Sequence, residues 1–371
     1  MNSILMILKT QNLNNDQRVI KEINSLDESD NSVDLFVATD VKADIGFEDI
    51  DINYTSILGG AAPKLVFIRI LGVFQFYINA LFFIFFSKKK YNAIWISDPI
   101  MFGLVFLVKL LFLKRKFVIW DHHELPPSWF VNNRLLMFIF KFSYQSANIV
   151  IHANEPRRQY IENIMNFTHS NGYVISNFPD NFDVDEEILH SKAEEWIKTN
   201  KFIYTQNSLN ENRFGADIIR CANELGFSVF HAGKVDNSYI KKNEIDVSNV
   251  FLAGYLTPKQ INRVLNRCEF TVIFYKQNSL NQVFCDANRL YQAMSVGAPI
   301  IMGNNPTLID ATINYRDKTI LNFDGGDISA LKIAFSKQQF PKKRQAIVCS
   351  WNIYDDYFKS ISDEISMGKI S

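Results

Sequence analysis

At 371 residues with 47% hydrophobic side chains the chain can bury two cores, at roughly 150 residues per domain, which excludes a single small binding module. Lysine plus arginine equals aspartate plus glutamate at 39 each, so the chain lacks the net positive charge of a nucleic-acid binder and no such partner is expected. Cys221, Cys268, Cys285 and Cys349 are widely spaced, with no CxxC pair and no histidine at metal-ligand spacing; they read as thiols in a reducing compartment, with no cofactor or essential metal expected.

From the N-terminus, Met1–Leu8 runs into an apolar stretch without the basic leader and small-residue cleavage site of a secretory signal, so a cytoplasmic location is expected. Short β-branched or aromatic runs follow, each succeeded by a helical pattern: 4–8, 33–38, 93–96, 117–120, 149–151 and 173–175. The series restarts at 202–204, 228–231, 250–253, 270–274 and 300–302. Such alternation predicts α/β architecture with two parallel sheets wound by crossover helices, that is, two Rossmann-like domains facing across a cleft. The break falls after Asn177-Phe178-Pro179-Asp180, where an acidic stretch runs through Glu187, and predicts domains over 1–180 and 181–349. Thr257-Pro258-Lys259-Gln260 offers a cap, a first-turn proline and a glutamine three residues on, a helix start. Ser350-Trp351 opens an amphipathic stretch, predicting a C-terminal helix over 350–371 that returns to the first domain.

Two apolar stretches stand apart. Leu65–Phe86 is long enough to span a bilayer at about 20 residues, but Arg69, Gln75 and Asn79 interrupt it; Ile100–Leu113 is too short and carries Lys109. Between Lys64 and Lys116 lie nine basic residues (Lys64, Arg69, Lys88, Lys89, Lys90, Lys109, Lys114, Arg115, Lys116) against one acid, Asp98. That bias fits peripheral contact with anionic lipid at the inner face of the cell membrane; two crossover helices with solvated basic ends would give the same pattern.

In parallel sheets ligands bind outside the carboxyl ends of the strands, so the residues after each strand matter most. If Asp286 caps a helix, Asn288 and Arg289 lie in its first turn and Gln292 sits one turn below Asn288. A helix N-terminus there suits a diphosphate, with Arg289 as direct partner and Gln292 reaching a ribose hydroxyl; an ordinary amphipathic helix with a solvated arginine is the plainer alternative. Asp121-His122-His123-Glu124 is the richest acid–base cluster: His123 and Glu124 can hold a sugar hydroxyl or take its proton. The plainer reading is a loop with one histidine packed by Trp120 and the other solvated. Adjacent histidines rarely chelate one zinc ion.

The run Asn288-Arg289-Leu290-Tyr291-Gln292-Ala293-Met294-Ser295-Val296-Gly297-Ala298-Pro299 resembles the donor-site helix of the retaining GT-B glycosyltransferases known as family 4 or group 1. His231-Ala232-Gly233-Lys234 and Val250–Leu256 resemble that family's two strand-end glycine turns, which implies donor contacts from His231 and Lys234 and base contacts from Tyr255 and Leu256. Asn212-Arg213-Phe214-Gly215 stands where the family places a basic residue and a glycine against the donor phosphates, so Arg213 inherits a binding and catalytic role. In the first half, Asp16-Gln17-Arg18, Ser97-Asp98-Pro99 and Trp120–Pro126 resemble the acceptor domain, implying acceptor contacts from Asp16, Arg18, Asp98, His122 and His123. The sequence departs from the family where Phe284 and Gln292 replace a pair of acids, and where Thr205-Gln206 replaces a glycine. The resemblance implies transfer, with retention, from a UDP- or GDP-sugar to a hydroxyl acceptor such as a glycan or lipid-linked saccharide of bacterial surface-polysaccharide synthesis. A non-catalytic partner subunit with this fold, or a nucleotide-sugar epimerase, are the alternatives.

Overall fold

A computed structural model describes residues 2–43, 50–61, 63, 65–112, 116–179, 184–337 and 345–368. Lys64, Lys114, Arg115 and Asp180 lie outside them. The chain divides into two compact units, Met1–Asn177 with Trp351–Ser371, and Phe178–Ser350.

The first unit holds a seven-stranded parallel sheet: β1 (Asn2–Asn12), β2 (Asn31–Val41), β3 (Ile52–Tyr54), β4 (Ala93–Ser97), β5 (Phe117–His122), β6 (Ile149–His152) and β7 (Gly172–Val174), in the order β3-β2-β1-β4-β5-β6-β7. Its central strands are near-continuous apolar runs because both faces are covered. Successive side chains alternate between those faces. Ile7, paired with Phe36 and Ile96, lies on one face; Met6, paired with Leu35 and Trp95, lies on the other. Phe36 packs against Phe76 and Phe83 of the Val66–Phe86 helix. On the opposite face Trp95 stacks on Phe358 of the Asp355–Met367 helix, 6.4 Å between ring centroids. Polar bonds fasten the C-terminal segment too: Asn2 Nδ2 of β1 donates to the Ser362 carbonyl of that helix at 3.1 Å, and Trp351 Nε1, in the 3-10 turn before it, donates to Ser25 Oγ of the Gln17–Asp27 helix at 2.8 Å.

The second unit holds six parallel strands: β8 (Phe202–Leu209), β9 (Ser228–Val235), β10 (Val250–Gly254), β11 (Thr271–Ile273), β12 (Ile300–Gly303) and β13 (Lys318–Leu321), ordered β10-β9-β8-β11-β12-β13. Apolar clusters fill both faces. The predicted helix start at Thr257 is a reciprocal capping box: Gln260 N–H donates to Thr257 Oγ1 at 3.2 Å and Thr257 N–H to Gln260 Oε1 at 3.1 Å. Two strands not expected from the sequence, β3 and β13, lie at sheet edges, where exposure relaxes the apolar pattern.

Phe358 is fully buried between Trp95 and Trp351. Phe358→Ala is expected to cost about 3–5 kcal/mol, read as a lower urea midpoint with an unchanged slope.

Candidate functional site

At the carboxyl end of β8 the chain turns through the short 3-10 helix Glu211–Arg213 into Phe214, which adopts the left-handed conformation with φ 54°. This turn lays the Arg213 guanidinium flat on the Tyr275 ring, 3.8 Å from its centroid. Tyr275 lies two residues beyond the end of β11. Arg289, in the first turn of the Asn288–Ser295 helix, approaches the same ring at 5.0 Å and donates to the Gln206 carbonyl at 2.9 Å. Arg289 is anchored by that bond but its Nε, like Arg213 Nη1, is buried without a hydrogen-bond partner. Burial, and then the charge of Arg289, lower the basicity of Arg213. Two guanidiniums sharing one ring repel each other, and an anion between them would relieve that repulsion.

Other expected donor residues are placed differently. Ala287, not Asp286, caps the Asn288–Ser295 helix, without a side-chain bond. The Asp286 carboxylate instead accepts from Tyr291 Oη at 2.6 Å, turned toward the following helical turn. Asn288 is exposed at the first helical position. The Gln292 amide donates to the Pro258 carbonyl at 3.0 Å and Asn262 Oδ1 at 3.3 Å, which commits its N–H groups to a neighbouring helix. The expected glycine turn after His231 is absent, because β9 continues through Val235. His231 is thereby buried in the sheet with Nδ1 2.9 Å from Thr205 Oγ1, and Gly233, at φ 131°, passes so close to Asn207 that a β-carbon would lie 2.0 Å from its carbonyl oxygen. Lys234 is exposed beyond it. After β10, Gly254 takes φ 71° and leaves Tyr255 84% exposed, while Leu256 packs against the core. Phe284 closes the short Leu280–Val283 helix.

In the first unit the sheet's alternation separates residues that are adjacent in sequence. Asp121 points to the face of the Gln17–Asp27 helix, where Arg18 bridges Asp121 Oδ1 at 3.1 Å, Glu22 Oε1 at 2.8 Å and the Ile175 carbonyl at 2.6 Å. His123 Nε2 lies 2.6 Å from Asp121 Oδ2 and 3.6 Å from Glu22. Burial opposes charge on His123, but Asp121 and Glu22 raise it well above the ordinary imidazole range, so it stands as an imidazolium. Burial and the neighbouring Asp121 push the Glu22 carboxyl up to about 7, against the pull of Arg18. Glu22, Asp121 and His123 offer three ligand atoms within 4.8 Å of one another, and Arg18 already supplies the cation there. Arg18 is thus a buried strut, a correction to its expected acceptor role.

His122 faces the other side, against Trp120 at 4.3 Å, Phe140 and Tyr144, and burial lowers its pKa to about 3. Neither ring nitrogen has a hydrogen-bond partner. It is a core residue, the second correction to the expected acceptor set. Asp98, at φ 78° after β4, keeps an enclosed carboxyl oxygen without a partner, and burial raises it to about 6. Asp16 caps the Gln17–Asp27 helix through the Val19 N–H, and Glu124 is exposed beyond β5. Strand-end chemistry in this unit therefore centres on Asp98 and His123. Sequence reading missed Tyr275 and Glu22; an aromatic directly after a strand, and an acid four residues after Arg18 on a helix, were the signals present.

Neither a family model nor any curated protein matches the sequence. Solved structures do resemble it. Sucrose-phosphate synthase from Thermosynechococcus elongatus superposes with TM-score 0.63 at 12% identity, over 91% of this chain and 89% of that one. Anabaena Alr3699/HepE in complex with UDP and glucose gives 0.59 at 11%, over 100% and 97%. WaaG, a glycosyltransferase involved in lipopolysaccharide biosynthesis, gives 0.59 at 9%, over 90% of each. The chain has the GT-B glycosyltransferase fold.

The unpartnered imidazole of His122 sets a pH dependence. Unfolded histidine titrates near 6.5, so below that pH the unfolded chain takes up a proton the folded chain refuses, and stability is lost as pH falls toward 3. Denaturant midpoints at pH 7 and pH 5 are expected to fall less for His122→Phe than for the wild type, by up to about 1.4 kcal/mol per pH unit. The raised Glu22 and His123 run the opposite way with pH and are present in both proteins, so the difference between the two reports His122 together with its effect on the neighbouring His152, which burial and His122 lower.

Proposed function

We propose that the protein transfers a glycosyl unit from a UDP- or GDP-linked sugar to a hydroxyl acceptor, with retention. The observation that carries this is the Arg213–Tyr275–Arg289 arrangement at the carboxyl edge of the second sheet: two cations are held against one ring, each with a buried donor that has no acceptor. When the bond between the sugar carbon and the diphosphate breaks, negative charge grows on the departing oxygen. Fixed guanidiniums and a helix N-terminus stabilise that charge with little reorganisation. The acceptor oxygen then bonds to the sugar carbon, and its proton passes to the departing phosphate, since His123 is already charged and serves as a hydrogen-bond donor to the acceptor. Asp98 is the carboxylate suited to orient an acceptor hydroxyl. UDP in the HepE structure supports the donor class, and WaaG's part in lipopolysaccharide biosynthesis supports a surface-saccharide or lipid-linked acceptor.

The second reading is a nucleotide-binding subunit without turnover. Phe284 stands where the resembled family has an acid, and Gln292 spends its amide N–H groups inside the protein.

Calorimetry with UDP and with GDP distinguishes these readings. Arg213→Ala is expected to weaken the productive nucleotide about tenfold or more, which is ~1.4 kcal/mol, while the thermal midpoint without nucleotide stays level or rises because a half-buried cation repelled by Arg289 is removed. Binding that survives the substitution unchanged, or no binding of either nucleotide to the wild type, overturns the donor site. Binding without sugar release from any UDP- or GDP-sugar favours the non-catalytic subunit.

A further inference from the structure

The Val66–Phe86 helix is apolar on both sides: Phe76 and Ala80 are buried toward the sheet, yet the outward side is apolar as well. Its mean hydropathy reaches 1.8 over an 18-residue window of which only 28% is buried. Gln75 and Asn79, its mid-helix polar side chains, are half-buried and bonded to the loop before the helix: Gln75 Oε1 accepts from the Leu58 N–H at 2.7 Å and Asn79 Nδ2 donates to Thr55 Oγ1 at 2.9 Å. Phe67, Phe74, Ile78, Phe82 and Phe86, at helical spacing, point outward, with Phe67 71% and Phe86 76% exposed. Water favours polar side chains at such outward positions.

The apolar surface extends sideways. Phe85 stacks on Phe112 beyond the Phe102–Leu111 helix, and Phe106 of that helix meets Phe142 of the Arg134–Ser146 helix, which exposes Leu135 and Phe138. A basic rim borders it: Arg69 in the first turn, Lys88 and Lys90 directly after the last, and Arg134 on the neighbouring helix are all exposed. Between residues 65 and 112 the one acid is Asp98, which is not among the exposed residues.

We propose that this face docks on an anionic lipid bilayer, with the Val66–Phe86 helix lying in the plane of the interface. The apolar stripe enters the acyl boundary and the lysines meet phosphate headgroups, the division of labour of interfacial helices. The helix does not cross the membrane, because its inner side is fixed to the sheet through Phe76 and Phe83 on Phe36 and through the bonds of Gln75 and Asn79. This surface belongs to the first unit alone and does not depend on the donor assignment.

Co-sedimentation of the full chain with vesicles of phosphatidylcholine alone, and of phosphatidylcholine mixed with phosphatidylglycerol, tests it. The wild type is expected to partition onto the mixed vesicles, and Phe74→Gln/Phe82→Gln to lower that partitioning about tenfold or more while circular dichroism and the thermal midpoint show a folded protein. Lys88→Glu/Lys90→Glu is expected to remove the preference for phosphatidylglycerol. No vesicle binding by the wild type, or equal binding by the phenylalanine variant, overturns the proposal. So does a dimer in sedimentation velocity that the phenylalanine substitutions convert to monomer without any change in vesicle binding, which would make this face a contact between copies. Recovery from cell membranes by detergent but not by alkaline carbonate overturns the in-plane arrangement.

Discussion

A parallel sheet covered on both faces has few places to put polar chemistry. Its strands must be apolar on two sides, and every crossover returns the chain so that all carboxyl ends reach one edge. In this protein the constraint operates twice, and it decides which charged residues are available. Arg18 and His122 look like site residues in the sequence, yet one leans under the sheet edge as a salt-bridged strut and the other packs into the opposite core. Asp98, His123, Arg213 and Arg289 are held at strand ends or in the loop and helix that follow them.

The two edges differ in charge balance. In the first unit Arg18, Glu22, Asp121 and His123 nearly cancel one another, so the cluster is internally satisfied and its role is to hold His123 in one position and one charge state. A buried network of this kind earns specificity rather than stability, since desolvating four ionic groups offsets most of their attraction. In the second unit no ion pair to a carboxylate is made by Arg213 or Arg289 among the described residues, and Asp286 is bonded to Tyr291. A pair of cations without such compensation costs folding free energy, which is why the proposed donor site is placed there and not at the balanced cluster of the first unit.

Much of this was legible in the sequence. Eleven apolar runs marked strands because central parallel strands must be apolar on both faces, and Thr257 to Gln260 marked a helix start because the capping box is a local bond pattern. The edge strands β3 and β13 escaped because Ile52-Asn53-Tyr54 and Lys318–Leu321 carry the mixed character that a half-exposed position tolerates. His231 was misplaced because β9 runs through a glycine, and Gly233 read as a turn when it marks a close backbone approach inside the ladder. His122 and Asp121 could have been separated by the period of two alone, had the strand been extended two residues beyond Trp120.

In the Val66–Phe86 segment, Arg69, Gln75 and Asn79 argue against a bilayer span when counted, and the structure adds their directions. Gln75 and Asn79 face protein, where each finds a hydrogen-bond partner, and Arg69 lies in the first turn with its guanidinium on the Pro63 carbonyl. What remains outward is apolar along the rest of the helix, and the chain turns cationic as soon as the helix ends at Ser87. Both sides of the helix are thus apolar, Phe76 and Phe83 toward the sheet and Phe74, Phe82 and Phe86 away from it, and the lipid docking proposed above gives the outward phenylalanines an apolar partner and the lysines beyond Ser87 an anionic one.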